Sequence, residues 1–439
     1  MAGVDGSGTD IATTPVRWQL DGCVSTLSPT RSNRTVTLHP APSPTAAACV
    51  VTVTSILDPT KSASLEVTVV HGFPLRLVTT GFADVQSVWS DAAGNVYFAG
   101  PVDAIPPGYP DAGEPPPSMG GFVIKVDADG DLVWEGDVGN VTADRVEAAA
   151  FAETGESYVV GSTTSGGAFG WDAGLAGDFA GFLLKLDPDG GVAWSRVIAT
   201  PSYTAARSVA LGPSGSVMVG GHAYGDAAVW SFGADDGFPR WEARVPREGY
   251  QAYCYGLAVD PAGASLLVGQ ELGLPDGGSG GFIARFDADG GLSWVLQPED
   301  IIFPLGVVAD PSGAIYVVGP ASGDAGVGFV SRYEPDGRLS WSHRAGVQSY
   351  EYPRAVTLAR EGGIYVAGPE IWVTSHWNEQ GQRLADLPPL LEEPYPTLGL
   401  ALFQDATGRL FLAGSATPDP IHIVGSLVKM GPDGGEDHF

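Results

Sequence analysis

Residues 257–294 read LAVDPAGASLLVG, then QELGLPDGGSG, then GFIARFDADGGLSW, and the order of residue types in this stretch decides the fold. An apolar stretch runs into D-P-A-G, and a second apolar stretch ends at Gly269. A third alternates before a D-A-D-G turn, and a fourth carries Trp294. Gly263 and Gly290 stand where a tight hairpin needs a residue with φ > 0. The apolar runs are too short for helices and are bounded by turn residues, so they read as strands. One such unit therefore holds four antiparallel strands joined by short connections.

The unit recurs. Its first half also appears as VWSDAAGNVYFAG, AFAETGESYVVG, VALGPSGSVMVGG, VVADPSGAIYVVG, VTLAREGGIYVAG and LFQDATGRLFLAG. The seven turn glycines are Gly94, Gly155, Gly215, Gly263, Gly313, Gly362 and Gly408, spaced by 61, 60, 48, 50, 49 and 46 residues. Six residues after each comes another glycine (100, 161, 221, 269, 319, 368 and 414), expected where backbones crowd at a strand end. The second half recurs as GFVIKVDADGDLVW, GFLLKLDPDGGVAW, AVWSFGADDGFPRW, GFVSRYEPDGRLSW, WVTSHWNEQGQRL and SLVKMGPDGGEDHF. The alternation of Phe122, Ile124 and Val126 predicts a sheet with two unlike faces. Trp134, Trp194, Trp241, Trp294 and Trp341 recur four residues after the turn glycine and are expected to pack between neighbouring units.

A repeat of about 45–60 residues with four strands is one propeller blade. The predicted fold is all-β: a seven-bladed β-propeller of four-stranded antiparallel blades over residues 73–439. The seventh copy stops at Phe439, and FPLRLVTTG (73–81) resembles a fourth strand such as LVWEGDVG. Residues 74–80 are therefore expected to complete the last blade and close the ring.

The composition agrees. Of 439 residues 44% are apolar and 10% aromatic, more than a disordered chain carries, while 62 Gly and 35 Pro mark a turn-rich protein. A net charge of −29, from 51 acids against 22 bases, argues against nucleic acid and anionic membrane surfaces as partners. No apolar run approaches the ~20 residues of a membrane helix, so direct membrane insertion is not expected. The four lysines (Lys61, Lys125, Lys185, Lys429) leave little prospect of lysine-based catalysis. Scattered histidines and the lack of C-x-x-C or H-E-x-x-H argue against structural zinc. Residues 1–14 read as a flexible segment, expected to follow a removed export signal. Cys254 reads as a small buried residue.

The paired halves, above all DPSGAIYVVG and GFIARFDADGGLSW, resemble the bacterial seven-bladed β-propeller repeat family of secreted and surface proteins. The departures are Leu384 in place of Trp in the sixth copy and long insertions in the first two. The resemblance implies an extracellular or cell-surface location, and it carries no catalytic residues over. Residues 15–72 are similar to part of a bacterial immunoglobulin-like β-sandwich, with VRWQLDG (16–22) as its middle strand and VVTVTSILDPTKSASLEVTVV (50–70) as its last two. Two preceding strands are missing, so this segment is expected to be cut mid-domain or completed by strand addition from a partner. Export would allow a Cys23–Cys49 disulfide.

Function is expected on the irregular face, where loops 101–120, 162–180 and 270–280 and the tyrosine-rich connections lie. Eight residues before each turn glycine come Gln86, Glu147, Arg207, Tyr255, Leu305, Arg354 and Leu400, each followed by Ser, Ala or Gly. This ring is expected to face a central channel. Gln86, Glu147, Arg207, Tyr255 and Arg354, with Tyr203, Tyr253, Tyr350 and Tyr352, form the candidate ligand-binding set, suited to a polar ligand such as a glycan. The competing reading is that the tyrosines only pack the loops down.

Asp127, Asp129 and Asp131 are candidate calcium ligands, although D-x-D-G is also ordinary hairpin chemistry. No other cofactor is expected. The leading functional reading is a non-catalytic extracellular propeller for recognition, adhesion or scaffolding, binding a glycan or another surface protein. The alternative is a polysaccharide lyase or hydrolase, with Glu147 or Glu351 as acid or base and Arg207 or Arg354 neutralising a uronate. A quinone-cofactor dehydrogenase ranks last, because those propellers usually have eight blades.

Overall fold

The computed structural model describes strands 16–21, 25–29, 36–40, 47–55, 62–69, 75–77 and 82–83 as backbone. It then describes residues 85–103, 119–128, 131–138, 145–163, 180–198, 204–213, 215–246, 249, 251–274, 277–299, 301–321, 328–345, 352–368, 374–387, 398–419 and 422–430. The chain divides into two compact units. In the first, Val16–Asp21 pairs antiparallel with Ala47–Ser55, which pairs with Ser62–Val69. Ser25–Pro29 and Val36–Pro40 form a separate hairpin. Residues 1–14 and Cys23, and with it the expected disulfide, lie outside the described residues, as do most of loops 101–120 and 162–180.

The second unit is an all-β propeller with six four-stranded antiparallel blades and one further sheet. That first sheet is five-stranded, with Phe82–Ala83, Ser87–Ser90, Val96–Asp103, Met119–Val126 and Leu132–Val138. The second comprises Arg145–Phe151, Ser157–Thr163, Ala180–Leu186 and Val192–Ile198; the third, Thr204–Leu211, Ser216–Ala223, Asp226–Gly233 and Pro239–Arg244. The fourth comprises Gln251–Val259, Ser265–Leu272, Ser279–Phe286 and Leu292–Leu296. Gly306–Ala309, Ile315–Pro320, Gly328–Tyr333 and Leu339–Ala345 make the fifth; Ala355–Leu358, Ile364–Ala367, Thr374–Trp377 and Arg383–Leu387 make the sixth. In the last, Leu398–Gln404, Leu410–Asp419 and His422–Met430 are joined by Leu75–Leu77, with Leu77 opposite Gly425 and Leu75 opposite Leu427. Each inner strand touches that of the next sheet, and Leu398–Gln404 touches Ser87–Ser90, so the inner strands form a closed ring. Among the described residues, no helix is long and apolar enough to cross a membrane.

Burial follows radial position. Ser157–Thr163 and Ala180–Leu186 are buried along their whole length, because neighbouring sheets cover both faces. Outer strands are wetter: Val192 and Leu339 are exposed. The sequence alternation thus misleads on one point. Val123 is as buried as Phe122 and Ile124, so the third strand has two covered faces rather than two unlike ones.

The repeated residues each have a local task. The first-turn aspartates accept two backbone N–H groups: Asp260 Oδ1 from Ala262 and Ala264 at 2.9 and 2.8 Å, and Asp310 Oδ1 from Ser312 and Ala314 at 2.8 and 3.0 Å. The seven turn glycines all have φ between +70° and +99°, a region that L side chains rarely adopt. Trp134, Trp294 and Trp341 each donate the indole N–H to a carbonyl in the last turn of the next sheet, Pro188, Pro335 and Glu379 respectively, at 2.9–3.2 Å. The tryptophans therefore tie neighbouring blades together.

Candidate functional site

Pairing of the first two strands skips one residue at the same place in several sheets. The register breaks between Val146 and Ala148, Ala206 and Ser208, Cys254 and Gly256, and Gly399 and Ala401. The skipped residues are Glu147, Arg207, Tyr255 and Leu400, so each is the extra residue of a β-bulge. A bulge unpairs one residue and re-aims its side chain. In the other sheets the same position precedes the inner strand. There the N–H of Gln86, Leu305 and Arg354 donates to Ala99, Val318 and Ala367 at 2.9, 2.9 and 2.8 Å.

The closing glycine makes room for this. A Cβ on Gly161 would lie 1.9 Å from the Arg145 carbonyl oxygen, and one on Gly269 would lie 1.9 Å from that of Tyr253. Only glycine lets the second strand pass the bulged backbone so closely.

These equivalent positions converge. Gln86, Glu147, Arg207, Tyr255, Leu305 and Arg354 line one cavity of about 530 Å³. The next residue in each strand, from Ser87 round to Ala401, forms a small-residue tier; the one after, from Val88 to Leu402, forms a mostly apolar tier. The cavity is thus polar on one tier and apolar two residues along.

Its polar tier is electrostatically organised. Glu147 Oε1 accepts from Arg145 Nε at 3.2 Å and from Arg207 Nη1 at 3.2 Å. Burial pushes the Glu147 carboxyl above the usual carboxylate range, while the two guanidiniums pull it back. Arg354 Nη2 donates to the Tyr352 hydroxyl at 2.8 Å, with its guanidinium 5.2 Å from that ring. The Arg354 Nε is buried without a hydrogen-bond partner among the described residues. Tyr255 donates to Gln270 Oε1 at 3.4 Å, and burial raises its phenol above the ordinary range against the pull of Arg207. Among the described residues the lining carries three arginines and one carboxylate, in a protein of net charge −29.

The tyrosines divide differently. Tyr253 donates to Gln251 at 3.0 Å and sets its ring edge-on to His222, 4.9 Å between centroids, and it does not line the cavity. Tyr352 supports Arg354 from outside the lining. Tyr203, Tyr350 and Glu351 lie outside the described residues. Arg145 lines the cavity although the eight-residue count does not reach it. Its sequence signal is its place two residues before Glu147, on the same strand face before the bulge.

Buried His222 is pushed down to about 4 by burial, with Arg207 adding to the effect, so it is neutral at neutral pH. Cys254 is fully buried and its thiol is pushed up to about 12, which removes it as a nucleophile. Asp127 Oδ1 accepts from the Asp131 N–H at 2.9 Å, a turn contact, and Asp129 lies outside the described residues. Among the described residues no group of three or more His, Cys, Asp or Glu could hold a metal ion.

No family model matches the chain, and no curated protein matches it. Solved structures do match in fold. A catalytically inactive virginiamycin B lyase from Staphylococcus aureus, crystallised with quinupristin, is 12% identical over 81% of this chain and 98% of its own, with a TM-score of 0.53. The Dos1 propeller is 10% identical over 81% and 94%, and YCF48 bound to D1 peptide is 12% identical over 81% and 95%, each with a TM-score of 0.50. At such identities the likeness establishes the propeller alone. One of the three is a lyase and another holds a peptide, so the fold selects neither role.

Proposed function

We propose that this chain carries a seven-bladed propeller, the five-stranded sheet being its seventh blade, that serves as a non-catalytic recognition module of an exported or surface protein. Its ligand is a polar molecule, of which a glycan is the best chemical fit, held at the polar tier of the central cavity. Residues 15–72 are read as an immunoglobulin-like neighbour that links it to a larger surface assembly.

One observation carries this reading: six equivalent positions, three of them bulged and three just before the inner strand, meet at a single cavity, and five of the six side chains are polar. A glycan presents hydroxyls to such groups and an apolar ring face to an aromatic such as Tyr255. The described lining does not supply the pair of carboxylates that glycoside hydrolysis uses. Its one carboxylate is engaged by two arginines, and its one phenol is held above its ordinary range.

Calorimetric titration with trigalacturonate and maltotriose tests the reading, together with analysis of the mixture for new reducing ends and unsaturated uronates. Binding without turnover that weakens in Tyr255→Ala supports it. Accumulation of unsaturated product, lost in Arg207→Ala, would replace it by a lyase in which Arg207 neutralises the uronate beside Tyr255.

A further inference from the structure

We infer that the central cavity takes an acidic ligand, a carboxylated or sulfated sugar, and that Glu147 occupies the ligand's anionic subsite on Arg207 until the ligand displaces it. This rests on the reading of the cavity as a binding site and adds the ligand class and the manner of its capture.

Charge sets the cavity apart from the rest of the protein. The protein as a whole repels anions at −29, yet among the described residues the charged side chains lining its cavity are Arg145, Arg207 and Arg354 against Glu147. With only packing to do, an acidic protein has no reason to place three guanidiniums at one concave site. Walls of low dielectric strengthen the field they create.

Glu147 fits Arg207 incompletely. One oxygen, Oε1, accepts from both Arg145 Nε and Arg207 Nη1 at 3.2 Å, longer than a well-formed charge-assisted hydrogen bond of about 2.7–2.9 Å. A single oxygen does not fill the fork of Arg207, which accommodates a carboxylate or sulfate through two parallel N–H groups. The Arg207 side chain remains about a third exposed, whereas that of Glu147 is 10% exposed. Both line the cavity, and the guanidinium is the more accessible of the two.

Arg354 adds a second cationic position. It is fixed from below by the Tyr352 ring and hydroxyl, and no carboxylate among the described residues lies within ion-pair distance of it. It comes from the sixth sheet, whereas Arg145 and Arg207 come from the second and third. The positive charge therefore stands on separate arcs of the ring, which suits a ligand with more than one acidic group. When such a ligand pairs with Arg207, the Glu147 carboxylate keeps Arg145, so no buried charge is left without a counter-ion.

The groups facing Glu147 are Arg145 on its own strand and Arg207 on the adjacent one. His222, Cys254 and Tyr255 are the other titratable groups that feel the charge of Arg207. Protonation of Glu147 frees Arg207, so acid strengthens capture of an anion that stays charged. A displaced carboxylate and a supporting carboxylate thus predict opposite effects of the same substitution.

The test titrates the full chain with trigalacturonate, galactose 6-sulfate and neutral galactose, for wild type, Glu147→Gln, Arg207→Ala and Arg354→Ala, each checked by thermal melt. Expected results are no measurable binding of galactose, a loss of about tenfold or more with either arginine removed, and a gain of a few-fold with Glu147→Gln. The stronger of the two anionic probes identifies carboxylate or sulfate as the group recognised. Galactose 6-sulfate is expected to bind more tightly to wild type as pH falls, and that slope is expected to vanish in Glu147→Gln.

If Glu147→Gln folds normally but binds anions more weakly, or if the slope persists without Glu147, the displacement is overturned while the binding site stands. If all three probes bind equally, or bind but ignore both arginine substitutions, the acidic class is overturned. If no probe binds wild type at all, the recognition reading falls with it.

Discussion

Trp241 of the third blade lies flat against Gly290 of the fourth: its indole Nε1 donates to the Ala288 carbonyl at 3.0 Å, and a Cβ on Gly290 would meet the ring at 2.8 Å. The same glycine holds φ at +88°. Two demands thus fall on one residue, a left-handed turn and a bare surface for the neighbouring ring. Gly290→Ala is expected to destabilise the protein by about 2–3 kcal/mol, from backbone strain plus displacement of the indole. Urea denaturation followed by tryptophan fluorescence measures it, and a loss below half that figure means the ring slides aside freely.

The closing glycines should be less forgiving still. At Gly269 the obstacle is the Tyr253 carbonyl at 1.9 Å, a backbone atom, so Gly269→Ala has to push the strands apart or undo the bulge. A cost of about 3 kcal/mol or more is expected, in the range reserved for strain at a special backbone site. Gly215→Ala is the contrast, since no atom lies within 4 Å of its Cβ and only the φ of +70° resists substitution. It should cost about 1 kcal/mol. Parallel urea curves of the two variants settle the order.

His222 should make stability fall in acid. Its folded value, about 4, lies below the unfolded 6.5, so between those pH values the unfolded chain binds the extra proton. Stability is therefore full above about pH 6.5 and declines as pH falls towards 4, by at most about 3 kcal/mol. The difference in urea midpoint between pH 7 and pH 4.5 should be smaller in His222→Gln than in wild type. Equal differences would assign the acid sensitivity to other groups.

Tyr224 is a non-glycine residue in the left-handed region, at φ +57°, followed by Gly225 at +84° in the two-residue connection between Ala223 and Asp226. Hairpins of this kind favour Asn before Gly. The Tyr224 ring recovers part of the cost by lying 4.9 Å from the Arg244 guanidinium. Tyr224→Asn should raise stability by about 0.5–1 kcal/mol, the left-handed penalty less the lost ring contact. A fall in the denaturation midpoint would show that the ring contact outweighs the strain.

What the sequence displayed, and what it hid, follows from the same geometry. Turn glycines such as Gly263 were legible because φ > 0 restricts residue type directly. The ring could be counted because it falls at a constant distance from the turn, although nothing in the residue types announces that four of its positions are bulged. Arg145 escaped the count because its role depends on where Glu147 points, which is a matter of register. Tyr253 and Tyr255 look alike in sequence, two residues apart, yet the bulge at Tyr255 leaves one ring against His222 and puts the other on the cavity. Trp194 of the second blade departs from the interlock, its indole N–H finding no partner among the described residues, for a local reason in the third blade. Its last turn closes by a Gly237 N–H to Gly233 carbonyl bond, one residue longer than Gly290 to Asp287, and Arg196 instead donates to the Gly237 carbonyl at 2.9 Å.

The pairing of Leu75–Leu77 with Gly425–Leu427 joins segments roughly 350 residues apart, and most of the ring must be synthesised before it can form. At ordinary translation rates that interval is on the order of 20–70 s, during which the early strand has no mate and the other blades can already be in place. Biogenesis therefore has a late, single-step commitment. Until then the nascent protein offers an open edge to whatever chain lies nearest, and its quality control turns on how that edge is kept covered.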